Sequence, residues 1–360
     1  MRRSDFDYAL PPDLIAQRPV PERDASRLLL LDRGTGTVAH HRFQDLPALL
    51  RPGDLLVLND TRVLPARLYG TTTHGGGVEF LFLEEAEGGA WWAWVRPGRR
   101  ARVGATFALA DGTIARVRER GEEGRILLDV QGPVPVRALL ERHGWTPLPP
   151  YIARRRQEAG AGVASAVPPA ALQEAEREDR ERYQTVYARE EGAIAAPTAG
   201  LHFTEAVLEA VRARGAEVAF LTLHVGIGTF KPVRVEEVAR HRMDPERFRI
   251  PETTAGAVKE ARARGGRVVA VGTTTVRALE SAADEGGAPR AGAGQASLFI
   301  RPGHRFRVVD GLLTNFHLPG STLLMLVSAV AGRERILAAY REAIAARYRF
   351  YSYGDAMLIL

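Results

Sequence analysis

Cysteine is absent from the 360 residues, which removes disulfide scaffolds, thiolate metal sites and cysteine nucleophiles. Lysine is nearly absent: of 49 basic residues, only Lys231 and Lys259 are lysines, so the positive charge is guanidinium. Long apolar runs are also lacking. The most apolar stretch, about Leu323 to Ala331, is too short to span a bilayer. The start, "MRRSDFDYALPPDLIAQRPVP", has acidic residues and prolines where a signal peptide needs an apolar core. A cytoplasmic protein with no membrane contact is expected. No G-x-S-x-G elbow occurs, which disfavours a serine hydrolase, and "GTTTVR" lacks the lysine and spacing of a P-loop.

What is present suits a globular protein of about two domains, with 45% hydrophobic and 26% charged residues. The formal net charge is +6. Arginine binds phosphate bidentately, so this charge fits a nucleic-acid partner, although on a chain of this length it fits an ordinary solvated surface as well.

Periodicity divides the chain. From Gly70 to about Val136 short strands alternate with tight turns: "VEFLFLEE" and "WWAWVRP" flank "AEGG", and "TIARVRER" and "RILLDV" flank "GEEG". Two such hairpins predict a small antiparallel barrel or sandwich, with Trp92 and Trp94 facing its core. Downstream, Thr204 can cap a helix that Gly215 ends. There follow the buried strand "AEVAFLTL", the loop "HVGIGTF", a helix from about Thr254 to Arg264, the strand "RVVAV", the loop "GTTT" and a helix from Val276 to Ala283. Leu55 to Leu58 is another buried strand. The expected fold is α/β, a largely parallel sheet built by both chain ends (1–69 and 146–360), with a small antiparallel β-barrel-like domain inserted at 70–145. Gln157 to Glu174 is Ala/Gly/Pro-rich and reads as a loop or linker.

In parallel sheets ligands bind where loops leave the carboxyl ends of strands. Four such loops carry polar or glycine-rich sets: Asn59-Asp60-Thr61-Arg62, His224 to Phe230, Gly272 to Thr275 with Arg277 beyond, and Thr314 to Thr322. "APTAGLHFTE" adds His202 and Glu205 at a helix start. These segments are expected to converge on one pocket. "HVGIGTF" serves equally as an anion cradle or as a plain turn. His202, His224, His241 and His317 show no i, i+4 pair, and no metal is expected. His202 and His317 each precede a helix, which favours function over a structural role.

The segments "ERDASRLLLL", "PGDLLVLNDTRVLPARLYG", "RYQTVYA", "AAPTAGLHFTE", "LHVGIGTFKPV", "VGTTTVRALES", "VVDGLLTNFHLPGSTLLMLVSAVAG" and "YRFYSYGDAMLIL" together resemble the S-adenosylmethionine:tRNA ribosyltransferase-isomerases of queuosine biosynthesis. Three departures stand out: "MDPE" at Met243 to Glu246 in place of Met-His-Ser-Glu, "ASLFI" at Ala296 to Ile300 in place of Thr-Asp-hydrophobe-Phe-Ile, and a longer connection at Gln157 to Glu174.

The resemblance implies transfer and rearrangement of the ribosyl part of S-adenosylmethionine onto 7-aminomethyl-7-deazaguanine at the tRNA wobble position, giving epoxyqueuosine, adenine and methionine. S-adenosylmethionine is then a consumed substrate, no cofactor is implied, and a monomer is expected. A base must remove a proton beside the sulfonium and an acid must assist departure of adenine. His202 and His317 are assigned these transfers, with His224 next and Asp60 holding the aminomethyl group. Arg62 and Arg277, helped by amides of Gly226, Gly228 and Thr229, are candidates for the methionine carboxylate. Phe203, Phe230 and Phe316 are candidates for stacking. Thr198, Gly200, Thr273, Thr274, Thr314, Asn315 and Ser321 complete the expected substrate contacts. Arg99 and Arg100, which follow "WWAW", and Arg349, Tyr351 and Tyr353 are expected to meet tRNA. The alternatives are a non-catalytic tRNA-binding protein and an S-adenosylmethionine-dependent tRNA methyltransferase.

Overall fold

The apolar runs anticipated as buried strands form the middle of a nine-stranded sheet. The structure is a computed structural model that describes residues 1–152, 170–226, 228, 233 and 235–360, with only the backbone of 170–173. Two units are distinguished: Met1–Arg62 with Thr185–Glu190 and Ala196–Leu360, and Val63–Gln184 with Glu191–Ala195.

In the first unit the strand order is Gly292–Ala296, Glu246–Ile250, Glu217–Leu223, Leu55–Asn59, Val268–Val271, Gly311–Asn315, Ala356–Ile359, Arg27–Leu31, Val38–Arg42. Glu217–Leu223, Leu55–Asn59, Val268–Val271 and Gly311–Asn315 are mutually parallel. Ala356–Ile359 runs antiparallel to Gly311–Asn315 and parallel to Arg27–Leu31. Leu55–Asn59, Val268–Val271, Gly311–Asn315 and Ala356–Ile359 are buried at every residue, which is why they are almost wholly apolar. Leu56, Leu58, Val269, Val271, Leu313 and Leu358 pack against Phe203, Val207, Leu208 and Val211.

Helix boundaries follow local chemistry. Thr204 caps Glu205–Ala213 by accepting the Val207 N–H at 3.2 Å, and Gly215 leaves it at φ +84°, a conformation open to glycine. Ser321 caps Thr322–Ala331 in the same way through Leu324 N–H. One helix differs from expectation. Thr273–Ser281 begins immediately after Gly272, at φ +89°, so Thr273 and Thr274 lie in its first turn and not in a loop. Thr275 donates its hydroxyl to the Val271 carbonyl at 2.7 Å. Four consecutive β-branched residues, Thr273 to Val276, are poor helix formers alone, and burial from Thr273 to Glu280 overrides that preference.

The amino edge of the parallel strands is clamped by charge. Asp54 accepts N–H bonds from Arg51 (2.8 Å) and Arg267 (3.1 Å) and the Arg267 guanidinium Nε at 3.0 Å. Asp310 accepts Val268 N–H at 2.9 Å. Adjacent strand starts are thus tied together.

The second unit contains a closed antiparallel barrel in the order Ile126–Gln131, Trp91–Arg96, Gly77–Glu85, Arg67–Thr72, Thr106–Ala108, Ile114–Arg120, with both expected hairpins present. It takes in more chain than the 70–145 segment, including the helix Ala170–Arg182. That helix covers the end of the Gln157–Glu174 stretch anticipated as a loop, while 157–169 lie outside the described residues. The tryptophans correct another expectation. Trp91, Ala93 and Val95 are buried, whereas Trp92 and Trp94 are half-buried on the opposite face. Arg125 lies over the Trp92 ring at 5.4 Å, a contact available only outside the barrel. Among the described residues no helix is long and apolar enough to cross a membrane.

Burial alone would raise the Asp54 carboxyl, but its hydrogen bonds from Arg267 and Arg51 outweigh that and hold it below the usual carboxylate range. A depressed carboxyl stabilises the fold above its unfolded pKa and loses that contribution as pH falls through the folded value. Asp54→Ala is therefore expected to cost about 2 kcal/mol at neutral pH and to flatten the acid limb of stability, as read from denaturant midpoints across pH.

Candidate active site

Parallel alignment of the four central strands sends the ends Asn59, Leu223, Val271 and Asn315 to one edge of the sheet, the carboxyl edge at which open α/β sheets bind ligands. Antiparallel pairing of Asn315 with Ala356 adds the start of the last strand. Asn59 fixes part of this edge: its amide donates to the Leu223 carbonyl at 2.9 Å, and its oxygen accepts Leu223 and Thr61 N–H at 3.0 and 3.1 Å.

His202 lies buried at the end of the turn Thr198–His202, stacked on Phe43 with ring centroids 5.1 Å apart. Asn315 Nδ2 lies 3.2 Å from His202 Nε2 and also donates to the Tyr351 carbonyl at 3.2 Å. Since a carbonyl only accepts, the amide nitrogen faces both groups, and Nε2 is the accepting ring nitrogen. Nδ1 then carries the proton and donates to Ser26 Oγ at 2.7 Å, while the Ser26 hydroxyl donates to the Arg23 carbonyl at 3.2 Å. Burial pushes the imidazole down to about 3, and the charges of Arg23 and Arg349 push in the same direction.

His317 is similarly buried and falls to about 3 through burial. Its Nε2 lies 2.8 Å from Thr314 Oγ1. Its main chain is held by Tyr340 Oη, which accepts the N–H at 3.0 Å, and by the Tyr8 hydroxyl, which donates to the carbonyl. Both histidines are neutral at pH 7, so they offer ring nitrogens as acceptors and N–H donors but no cation.

Asp60 is buried, with Oδ1 accepting the Thr222 hydroxyl at 2.7 Å and Oδ2 accepting Arg189 Nη2 at 2.7 Å. A carboxylate has about four acceptor positions, so capacity remains beyond these side chains and the weaker Arg189 Nε contact at 3.2 Å. His224 Nδ1 meets Thr61 Oγ1 at 2.9 Å. Thr274 Oγ1 lies 3.4 Å from Asn59 Nδ2.

Several expected contacts are committed elsewhere. Arg277 is buried and ion-paired with Glu246, and it donates to the Ala296 carbonyl at 2.7 Å. Glu246 in turn accepts Gly226 N–H at 2.9 Å. The acid retained in "MDPE" thus holds the start of the glycine loop, and Arg277 positions that acid while its own buried Nε has no partner among the described residues. Gly228 packs against Asp244, whose Oδ2 would lie 2.7 Å from a Cβ there; Thr229 and Phe230 lie outside the described residues. Phe203 is part of the apolar core, edge-on to Phe43, and Phe316 is part of an aromatic cluster with Tyr340, Tyr348 and Phe350. Ser321 is used as a helix cap. Arg62 is exposed, Thr198 is half-buried, and Gly200 is buried in the turn before His202.

The residues expected to meet tRNA separate by burial. Arg99 is exposed on the barrel unit, while Arg100 lies partly buried and donates to the Gly77 carbonyl. Tyr351 and Tyr353 are buried, which removes them as stacking platforms, and Arg349 is half-buried beside His202. Sequence reasoning missed Arg23 and Ser26, whose signal lies in "ERDASRLLLL", and Thr222 and Arg189, which carry none. Among the described residues no three His, Asp or Glu side chains group as a metal ion requires.

The sequence matches the family described as "Queuosine biosynthesis protein" over residues 3–359. A protein of Anaeromyxobacter sp. named S-adenosylmethionine:tRNA ribosyltransferase-isomerase is 54% identical over 364 residues, 100% of this chain and 99% of its own. Its namesake from Pelobacter propionicus is 52% identical over 357 residues, 99% and 98% respectively. A crystal structure of S-adenosylmethionine tRNA ribosyltransferase from Thermotoga maritima is 38% identical, covers 99% of this chain and 100% of that one, and superposes with a TM-score of 0.54.

Histidines buried neutral are protonated on unfolding at pH below their ordinary value near 6.5, so stability is lost as pH falls from there towards about 3. Replacing His202 by Gln is expected to lower stability at pH 7 and to reduce its fall between pH 6.5 and 4, measured by denaturant titration at each pH.

Proposed function

The chain belongs to the queuosine biosynthesis protein family, and on that premise we propose that it transfers and isomerises the ribosyl group of S-adenosylmethionine onto 7-aminomethyl-7-deazaguanine at the wobble position of tRNA. It is a transferase, S-adenosylmethionine is its consumed substrate, and adenine and methionine leave. It needs no cofactor and acts as a monomer.

The observation that carries this reading is the gathering of His202, Asn315, Thr314 and His317 with Asp60 and Thr61 at one edge of the sheet, with both imidazoles held neutral. Removing a proton beside a sulfonium needs an unprotonated base, and the attacking amine must also be uncharged, so buried imidazoles that carry no charge suit both. His202 presents Nε2 to Asn315 and holds its proton on Nδ1, which suits alternating acceptance and donation once Asn315 yields to substrate. His317 supplies the second transfer, with Thr314 fixing its ring. Asp60 keeps an acceptor position for the aminomethyl group. The methionine carboxylate falls to Arg23 and Arg349, whose charges already act on His202, and not to Arg277. Arg99 offers tRNA an exposed guanidinium on the barrel unit.

Product analysis tests the proposal. Incubation with S-adenosylmethionine and tRNA bearing the aminomethyl precursor is expected to release adenine and methionine in equal amounts. Formation of S-adenosylhomocysteine would identify a methyltransferase, and absence of any small product would identify a binding protein. His202→Ala and His317→Ala are each expected to lower adenine release at least about 100-fold, in the range of lost acid–base groups; near wild-type turnover in both would remove the histidines from the reaction.

A further inference from the structure

Buried hydroxyls and amides in folded proteins almost always find partners, so a local group without them is informative. Three such atoms flank the turn Thr198–His202: Thr185 Oγ1, Tyr187 Oη and Asn315 Oδ1, each buried and without a hydrogen-bond partner among the described residues. Asn315 adjoins His202. Thr185 and Tyr187, from "RYQTVYA", adjoin Gly200.

The approach of these two side chains is close. A Cβ at Gly200 would lie 2.1 Å from Tyr187 Oη and 2.8 Å from Thr185 Cγ2, so only glycine lets them close on the turn. Phe203 meets the Tyr187 ring edge-on at 6.2 Å, and Phe220 lies tilted against it at 5.5 Å. Phenylalanine and valine would fill the same space without an unsatisfied oxygen, so folding gains nothing from either hydroxyl. Residues that break a local rule in this way are expected at functional or strained sites, and these flank the turn that carries His202.

The chemistry of the pair narrows its ligand. Burial raises the Tyr187 phenol well above its ordinary value, reinforced by the Asp60 charge, so both groups remain neutral and each can donate and accept. Carboxylates and phosphates recruit guanidinium groups or backbone N–H groups. Neutral hydroxyls complement neutral hydroxyls.

We propose that Thr185 and Tyr187 bind the two ring hydroxyls of the ribosyl group of S-adenosylmethionine, holding the sugar beside the turn that carries His202. This assignment rests on the ribosyl-transfer reaction proposed above.

Tyr187→Phe and Thr185→Val, assayed by adenine release with precursor tRNA, are each expected to lower kcat/KM for S-adenosylmethionine about tenfold, as for a lost hydrogen bond in a desolvated site. Thermal midpoints without ligand should equal or exceed wild type, since an unsatisfied oxygen is removed. As competitors, the 2′-deoxy and 3′-deoxy analogues of S-adenosylmethionine should each bind wild type more weakly than a full-diol competitor. The loss should vanish in the variant lacking the matching hydroxyl. Values of kcat/KM within twofold of wild type would overturn the assignment, as would a lowered midpoint with an undiminished deoxy penalty, which marks a packing role. Wild-type protein that releases no adenine would instead overturn the reaction itself and this assignment with it.

Discussion

The neutral imidazole of His202, bonded at both nitrogens, is the constraint on which the carboxyl edge of the sheet depends. Tyr351 carbonyl, Asn315 amide, His202 ring, Ser26 hydroxyl and Arg23 carbonyl form one hydrogen-bonded series. It joins the N-terminal segment, the turn before Glu205–Ala213, the strand Gly311–Asn315 and the C-terminal segment. A buried ring nitrogen without a partner would be costly, and so would a buried cation. Satisfying both nitrogens with neutral groups avoids both costs. It also fixes which nitrogen carries the proton, which is the property a proton-transfer residue must have settled before substrate arrives.

The two edges of the parallel strands are built differently. At the amino edge Asp54 meets Arg267 and Asp310 accepts the Val268 N–H, so adjacent strand starts are held in register. At the carboxyl edge Asn59 is fully bonded and Asp60 is paired with Arg189, whereas Asn315 Oδ1 has no partner among the described residues. Tyr351, which receives the other end of the series through its carbonyl, holds φ at +71°, a conformation costly for a residue with a side chain and one that persists where surrounding structure enforces it.

Much of this architecture is legible in the sequence because burial on both faces leaves no choice of residue. "LLVL", "AEVAFLTL" and "RVVAV" announce interior strands, and "AEGG" and "GEEG" announce hairpins, while Thr314 and Asn315, expected in a loop, belong to the strand Gly311–Asn315. Thr204, Gly215 and Ser321 mark helix ends through their own hydrogen bonds. The convergence of Asp60, His224 and Asn315 at one edge follows from parallel order. What stays hidden depends on partners distant in the chain. Alternation places Trp92 and Trp94 on one face and Trp91 on the other, yet it does not say which face is inward. Arg277 resembles a substrate ligand until Glu246 is seen to hold it. Arg349 reads as a surface cation until the last strand folds it back towards His202. Tyr351 and Tyr353 sit in a polar, glycine-containing segment that looks exposed, and backbone bonds to Phe316 and Arg349 bury it.

The most direct test of the central claim is nitrogen-detected NMR of His202 in ¹⁵N-histidine-labelled protein between pH 5 and 8, assigned by comparison with His202→Gln. A neutral ring protonated at Nδ1 and unprotonated at Nε2 throughout that range is predicted. An imidazolium near neutral pH, or a proton resident on Nε2, would contradict the hydrogen-bonded series and the role built on it.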